Sequence, residues 1–215
     1  MKPVIVIGAG GHAAVIADAL QAAGVNVLGF TDADPAKHQS KQCDLPVLGS
    51  DATVLAGSDR NDVLLANGVG GVKGTDVRRA LQQRLQEEGW RFATVIHPTA
   101  IVSRHARIGN GAQLLAGSIV QALAAIGEGA IVNTAAVVEH DADVGDYVHV
   151  APRALLCGAV TVGNYSHIGA GAVVRQGIRL GERTLVGAGA VVVKDFDGGG
   201  ELVGMPARSS AEGIA

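Results

Sequence analysis

The stretch Ile126-Gly127-Glu128-Gly129-Ala130-Ile131-Val132-Asn133-Thr134-Ala135-Ala136-Val137-Val138 decides the fold. Ile126, Val132 and Val138 stand six apart, and steps of six outward from them meet only Ile, Leu or Val from Ile96 to Val192. The fourth residue after each anchor is small or compact, as at Ala112, Ser118, Ala124, Ala130, Ala136, Ala142, Val148 and Ala154. Glycine often follows the anchor directly, as at Gly109, Gly127, Gly145, Gly163 and Gly181. An α-helix would repeat its apolar stripe every 3.6 residues and an ordinary strand would alternate at two. A sustained period of six predicts a parallel β-helix instead. Each hexapeptide is one short strand and a turn, three close a triangular coil, and coils stack about 4.8 Å apart. The anchor points into the prism and the small residue fits its corner. The glycines are expected to serve a strained turn backbone. The register never slips, so the coil carries no insertion loop.

Composition narrows the rest. A net charge of -3 lacks the basic footprint of sequence-independent nucleic-acid binding, and 3% aromatic residues leave little for base-stacking platforms. Hydrophobic residues at 48% exclude a disordered chain. No apolar run approaches the roughly 20 residues that span a bilayer, and no signal peptide precedes Val4. Cys43 and Cys157 lie far apart with no CxxC, so neither a disulfide framework nor a zinc knuckle is expected. The expectation is a reduced, cytoplasmic protein.

The first ninety residues read differently. Val4-Ile5-Val6-Ile7 is a buried strand, Gly8-Ala9-Gly10-Gly11-His12 a glycine turn, and Val15, Ile16, Ala19, Leu20 and Ala23 a helical stripe. Val25 to Phe30 returns as strand and ends at Asp32, and Val63 to Ala66 is a third strand that runs into Asn67-Gly68-Val69-Gly70-Gly71. Thr75 is placed as the cap of a helix reaching about Glu88, with a short strand from Phe92 to Val95. The pattern is a small, parallel, Rossmann-like α/β unit. Such sheets bind ligands beyond the carboxyl ends of their strands. Those ends carry Gly10, Gly11 and His12, Asp32, and Gly68 and Gly70. The glycines let backbone N–H groups approach a phosphate, and Asp32 can accept from a ribose or base donor. The expected domains are 1–94, nucleotide-sugar binding; 95–197, the β-helix; and 198–215, a C-terminal tail.

The glycine turn, the hexapeptide coil and Val137-Val138-Glu139-His140-Asp141 together resemble the bacterial acetyltransferases of nucleotide-linked amino sugars. That group includes sialic acid O-acetyltransferases, bacillosamine-pathway N-acetyltransferases and, nearest in likeness, GDP-perosamine N-acetyltransferases. The likeness extends to Gly204-Met205-Pro206-Ala207-Arg208, a turn common after such coils. It implies a left-handed coil and a homotrimer, with acetyl-CoA lying along the β-helix between neighbouring subunits. It also implies a nucleotide-linked amino sugar held by the N-terminal unit, and neither nucleic acid nor membrane insertion. His140 maps onto the family's histidine. Asp141 stands where Glu is common and is one methylene shorter. His149 maps onto a second histidine, Gly158 onto the glycine whose amide meets the thioester oxygen, and Asn133 onto an Asn-Thr pair. Ala170 and Ala188, with Gly158 and His149, are the expected acetyl-CoA contacts. The spacing adds an independent point: His140 and Gly158 differ by 18, one full coil, so they should share a corner.

Rival readings attach to the same residues. Gly8-x-Gly10 followed by Ala13 fits a dinucleotide oxidoreductase, but the unit is short for two mononucleotide halves. Some hexapeptide coils are trimeric zinc carbonic anhydrases, yet the spacing of His140, His149 and His167 does not reproduce their ligand cluster, and no metal is expected. A bare trimerising scaffold leaves the glycine turn and the His140–Gly158 stack unexplained. Sialic-acid-type O-acetylation uses the same groove and base and stays open beside N-acetylation. His149 and His167, also 18 apart, read by default as an imidazole ladder, and Cys157 as a small packing residue.

Overall fold

A computed structural model describes residues 2–71 and 76–209. The chain divides into two compact units, one holding most of residues 1–98 and the other the residues from Thr99 onward. Among the described residues no helix is long and apolar enough to cross a membrane.

In the first unit, β1 (Val4–Ile7) is followed by α1 (Gly11–Ala22), β2 (Val27–Thr31), β3 (Lys41–Gln42), β4 (Leu45–Gly49), α2 (Asp51–Ala56), β5 (Leu64–Asn67) and α3 (Asp76–Glu87). The sheet order is β3-β4-β2-β1-β5. β1 pairs in parallel with both β2 and β5, which buries all four of its aliphatic residues. The chain leaves β1 toward β2 on one side and reaches β5 on the other, so the crevice at the strand ends opens between β1 and β5. Ala13, Ile16, Ala17 and Leu20 form the buried stripe of α1. Ile5, Ile7, Leu55, Leu65, Leu85 and Trp90 pack on the opposite layer.

Three elements of this unit, β3, β4 and α2, escape the sequence reading. Pro46 inside Leu45–Gly49 argues against a strand, but it stands opposite Lys41, in the antiparallel edge pair of β3 and β4. Cys43 and Asp44, both at positive φ, make the two-residue turn between those strands. α2 begins at a Ser50 cap whose side chain accepts from the Thr53 N–H. Thr75 lies outside the described residues.

The second unit is the β-helix. Two-residue strands recur every six residues and pair in parallel with the strand 18 residues away, which builds three faces. The first face runs through Val120, Val138, Leu156 and Val174, the second through Ile126, Val144 and Val162, and the third through Val132, Val150 and Ile168. These anchors and the corner alanines are buried in one continuous core. Each buried Val, Leu or Ile contributes roughly 1.5–3 kcal/mol. Glu201–Gly204 continues the third face beside Leu185–Val186, and Ala207–Ser209 folds back on it as an antiparallel strand.

The structure corrects the reason for the glycines after the anchors. Positive φ falls two residues later, at Leu123, Ala135, Asp141, Tyr147, Arg153, Ala159 and Tyr165, and at glycines such as Gly129 and Gly177. Gly127 and Gly163 are needed because a Cβ there would lie 2.5 Å from the backbone of the next coil. Close stacking, not turn strain, requires glycine at those positions.

Candidate active site

Between the first and second faces the chain turns at Glu139-His140-Asp141-Ala142, and one coil later at Cys157-Gly158-Ala159-Val160. The two turns are joined by the Ala159 N–H donating to the His140 carbonyl at 2.9 Å. Asp141 occupies the left-handed position of its turn (φ 60°), a conformation that Asp tolerates better than most residues. Its carboxylate Oδ2 lies 2.8 Å from Nδ1 of His140. A carboxylate can only accept, so it selects the tautomer with hydrogen on Nδ1 and leaves the Nε2 lone pair free. The shorter side chain in place of Glu therefore still reaches the ring.

The imidazole lies over Gly158. A Cβ on Gly158 would come within 2.7 Å of both Cε1 and Nε2 of His140. Gly158 has no positive φ, so its lack of a side chain serves the histidine above it. No hydrogen bond among the described residues uses the Gly158 N–H. Both His140 and Asp141 are about half exposed.

The remaining candidates lie elsewhere. His149 is on the third face, buried, with Nε2 3.0 Å from the Asn133 carboxamide nitrogen. His167 stands on the next coil, its ring edge-on to that of His149 with centroids 4.8 Å apart. Burial pushes the His167 pKa below the usual histidine value. Ala170 and Ala188 are consecutive rungs at the corner between the third and first faces, linked by the Gly189 N–H donating to the Ala170 carbonyl. One chain thus brings together His140, Asp141 and Gly158 but leaves Ala170 and Ala188 on another edge of the prism and His149 on the third face.

At the crevice of the N-terminal unit, Gly10 and Gly11 are exposed and a Cβ at either would meet open space. Neither has a positive φ. The N-terminus of α1 receives no side-chain cap. Asp32 is occupied within the chain: it accepts from the Ala9 N–H at 3.1 Å, the Asp34 N–H at 2.9 Å and Lys37 Nζ at 2.8 Å. Burial raises its pKa, but those hydrogen bonds outweigh it and hold the carboxyl below its ordinary value. Asp32 is accordingly a clasp on the glycine turn. Three further side chains belong to this mouth and carry no motif. Thr31 accepts from the Gly8 N–H and donates to Asp51, and the Gln42 carboxamide donates to the Gly10 carbonyl. Lys37 is the third. Gly68 is locked under α1, since a Cβ there would lie 2.6 Å from Ala13 Cβ, and Gly70 faces His12. Among the described residues no group of three or more His, Cys, Asp or Glu side chains could hold a metal ion.

Comparison with known proteins places this architecture. The PglD N-terminal domain family matches residues 3–85, and the bacterial transferase hexapeptide family, of six repeats, matches residues 159–194. No curated protein matches the chain. Among solved structures, the acetyltransferase domain of PglB from Neisseria gonorrhoeae FA1090, in complex with acetyl coenzyme A, is 35% identical. That match covers 97% of this chain and 98% of the other, with a TM-score of 0.90. PerB from Caulobacter crescentus, in complex with CoA and GDP-perosamine, is 36% identical over 97% of each chain, with a TM-score of 0.87. WeeI from Acinetobacter baumannii AYE shares the fold, at 24% identity over 97% of this chain and 100% of its own, with a TM-score of 0.85. With identity above one third across nearly its whole length, the chain belongs to the hexapeptide-repeat sugar acetyltransferases that carry a PglD-type N-terminal domain.

Proposed function

We propose that this protein transfers the acetyl group of acetyl-CoA to the amino group of a nucleotide-linked amino sugar. The sugar class is a 4-amino-4,6-dideoxy sugar such as that of GDP-perosamine. The observation that carries the reading is the His140 ring, held on Nδ1 by Asp141 at 2.8 Å and packed where a side chain on Gly158 would stand, beside an amide that makes no hydrogen bond among the described residues. In this mechanism the neutral amine attacks the thioester carbonyl and a C–N bond forms. His140 Nε2 takes the proton lost by the nitrogen, the Gly158 N–H stabilises the developing oxyanion, and the C–S bond breaks to release CoA thiolate. No covalent enzyme intermediate is needed. In support, perosamine N-acetyltransferase from Caulobacter crescentus holds CoA and GDP-perosamine when one histidine is replaced by asparagine or alanine.

Gly10 and Gly11 support a nucleotide-sugar site in the crevice. The fold requires glycine at neither position, so close approach of a ligand's phosphates is what their bareness serves. The first face supports a homotrimer. Its outward column Ile101, Ile119, Val137, Leu155, Val173 and Val191 is aliphatic throughout, and Ile101 is 65% exposed. This column runs between the His140 corner and the corner of Ala170 and Ala188. A second copy on it would set one subunit's base beside another's alanine rungs, with acetyl-CoA between them.

The test is acetyl transfer to a panel of GDP-, UDP- and dTDP-linked amino sugars and to hydroxyl acceptors such as sialic acid. Transfer to an amine is expected, and His140→Ala should lower kcat about 10²–10⁴-fold. Acetylation of hydroxyl acceptors alone would overturn the N-acetyl reading. An unchanged kcat in His140→Ala would remove the histidine from the mechanism.

A further inference from the structure

The buried stripe of α3 begins with two polar residues, Arg78 and Gln82, where an amphipathic helix would carry aliphatics. Arg78 is 1% exposed. Burying a guanidinium is costly, and a Leu there would contribute more to stability. What the arginine does instead is hold main chain. Its Nη1 donates to the Asn67 carbonyl at 3.0 Å and to the Val69 carbonyl at 3.1 Å, both in the turn that follows β5. Asn67 returns the contact by donating to the Arg78 carbonyl at 3.0 Å.

A trans peptide points its N–H opposite to its carbonyl. With the Asn67 carbonyl drawn toward Arg78, the Gly68 N–H is turned the other way, and it donates to the Ile7 carbonyl at 2.9 Å. The same rule applied to the next clamped carbonyl, Val69, turns the Gly70 N–H away from the core. Among the described residues that N–H makes no hydrogen bond, and a Cβ on Gly70 would lie 3.3 Å from Cβ of His12. The donor therefore emerges beside the glycine turn that opens α1.

We propose that Arg78 is a positioning residue for the nucleotide sugar: by clamping two carbonyls from beneath, it aims the Gly70 amide, beside His12, at the ligand's diphosphate. This rests on the reading of the crevice as the nucleotide-sugar site. The probes are GDP, UDP and dTDP, titrated calorimetrically against the full chain, with acetyl-CoA titrated in parallel. Arg78→Met is expected to weaken the preferred nucleoside diphosphate at least tenfold and leave acetyl-CoA affinity within twofold. Arg78→Lys, which keeps one donor, should recover part of the loss. Gly70→Ala crowds His12 without disturbing the guanidinium and should show the same split, so the question stays open to refutation if Arg78→Met does not fold. Unchanged diphosphate affinity in folded Arg78→Met, or equal losses for both ligands, would overturn the proposal. His12→Ala separates the two layers of inference. If it weakens the diphosphate and Arg78→Met does not, the site stands and Arg78's role falls. If wild type binds none of the three diphosphates, the crevice reading falls, and the proposal with it.

Discussion

A methyl group on Gly158 would fall 2.7 Å from two ring atoms of His140, and the ring is the part free to move. Gly158→Ala should therefore push the imidazole out of place and lower kcat by about 10²-fold, the low end of what a positioned general base supplies. Unfolding by circular dichroism should hardly change. Gly11→Ala makes the opposite separation. Its Cβ meets open space inside a helix, so the thermal midpoint should hold or rise, by up to about 1 kcal/mol of stability, while the KM for the sugar nucleotide increases. Residues of this kind differ in how openly the sequence declares them. His140 and Gly158 are readable because an interval of 18 in a period-six coil is a statement about position in space. Arg78 is not, because an arginine near the start of a polar helix looks like any solvated one. Only the fold reveals that it faces inward. Asp32 is readable as an acid at a strand end, but its three donors come from two separate segments, the glycine turn after β1 and the loop after β2, whose meeting no spacing rule supplies.

At the scale of elements, the coil strands follow from the anchors alone, since a two-residue strand needs one inward aliphatic and a partner 18 residues away. β4 does not, because its proline hides a strand that pairs with β2 on one side and, through the turn at Cys43 and Asp44, with the two-residue edge strand β3 on the other. The histidine rungs of the third face give this element a pH response. Burial lowers the His167 pKa below the ordinary histidine value of 6.5, so between the two values the unfolded chain binds more protons than the folded one. The contribution is fully present above the unfolded pKa and is lost as pH falls from there through the folded one. Replacing His167 by Leu, the residue on the next rung at Leu185, should flatten the fall in thermal midpoint between pH 7.5 and 5. A slope equal to wild type would assign that response to other groups.

For the whole molecule, the outer column of the first face makes the active assembly testable. Leu155→Glu leaves the inward anchor Leu156 in place and puts charge in the middle of the aliphatic column. Sedimentation should report monomer and acetyl transfer should fall more than tenfold, with circular dichroism unchanged; a trimeric variant would locate the contact elsewhere. The two-unit architecture itself was legible, because the change from a glycine-turn α/β pattern to period six is abrupt in the chain. The intervals from His140 to His149 and Ala170 are not multiples of 18 and so already set these residues apart around the coil, but spacing does not give what stands opposite them. The pairing of each two-residue coil strand with its counterpart 18 residues away has one more outcome, which concerns how such a chain can change length. Adding or losing a single residue would turn every later anchor outward and every later rung inward. Gaining or losing one hexapeptide would keep the anchors inward but carry every later side chain to the next face, so only whole laps preserve both, and relatives should differ in height by complete turns while the angular addresses of their side chains stay the same.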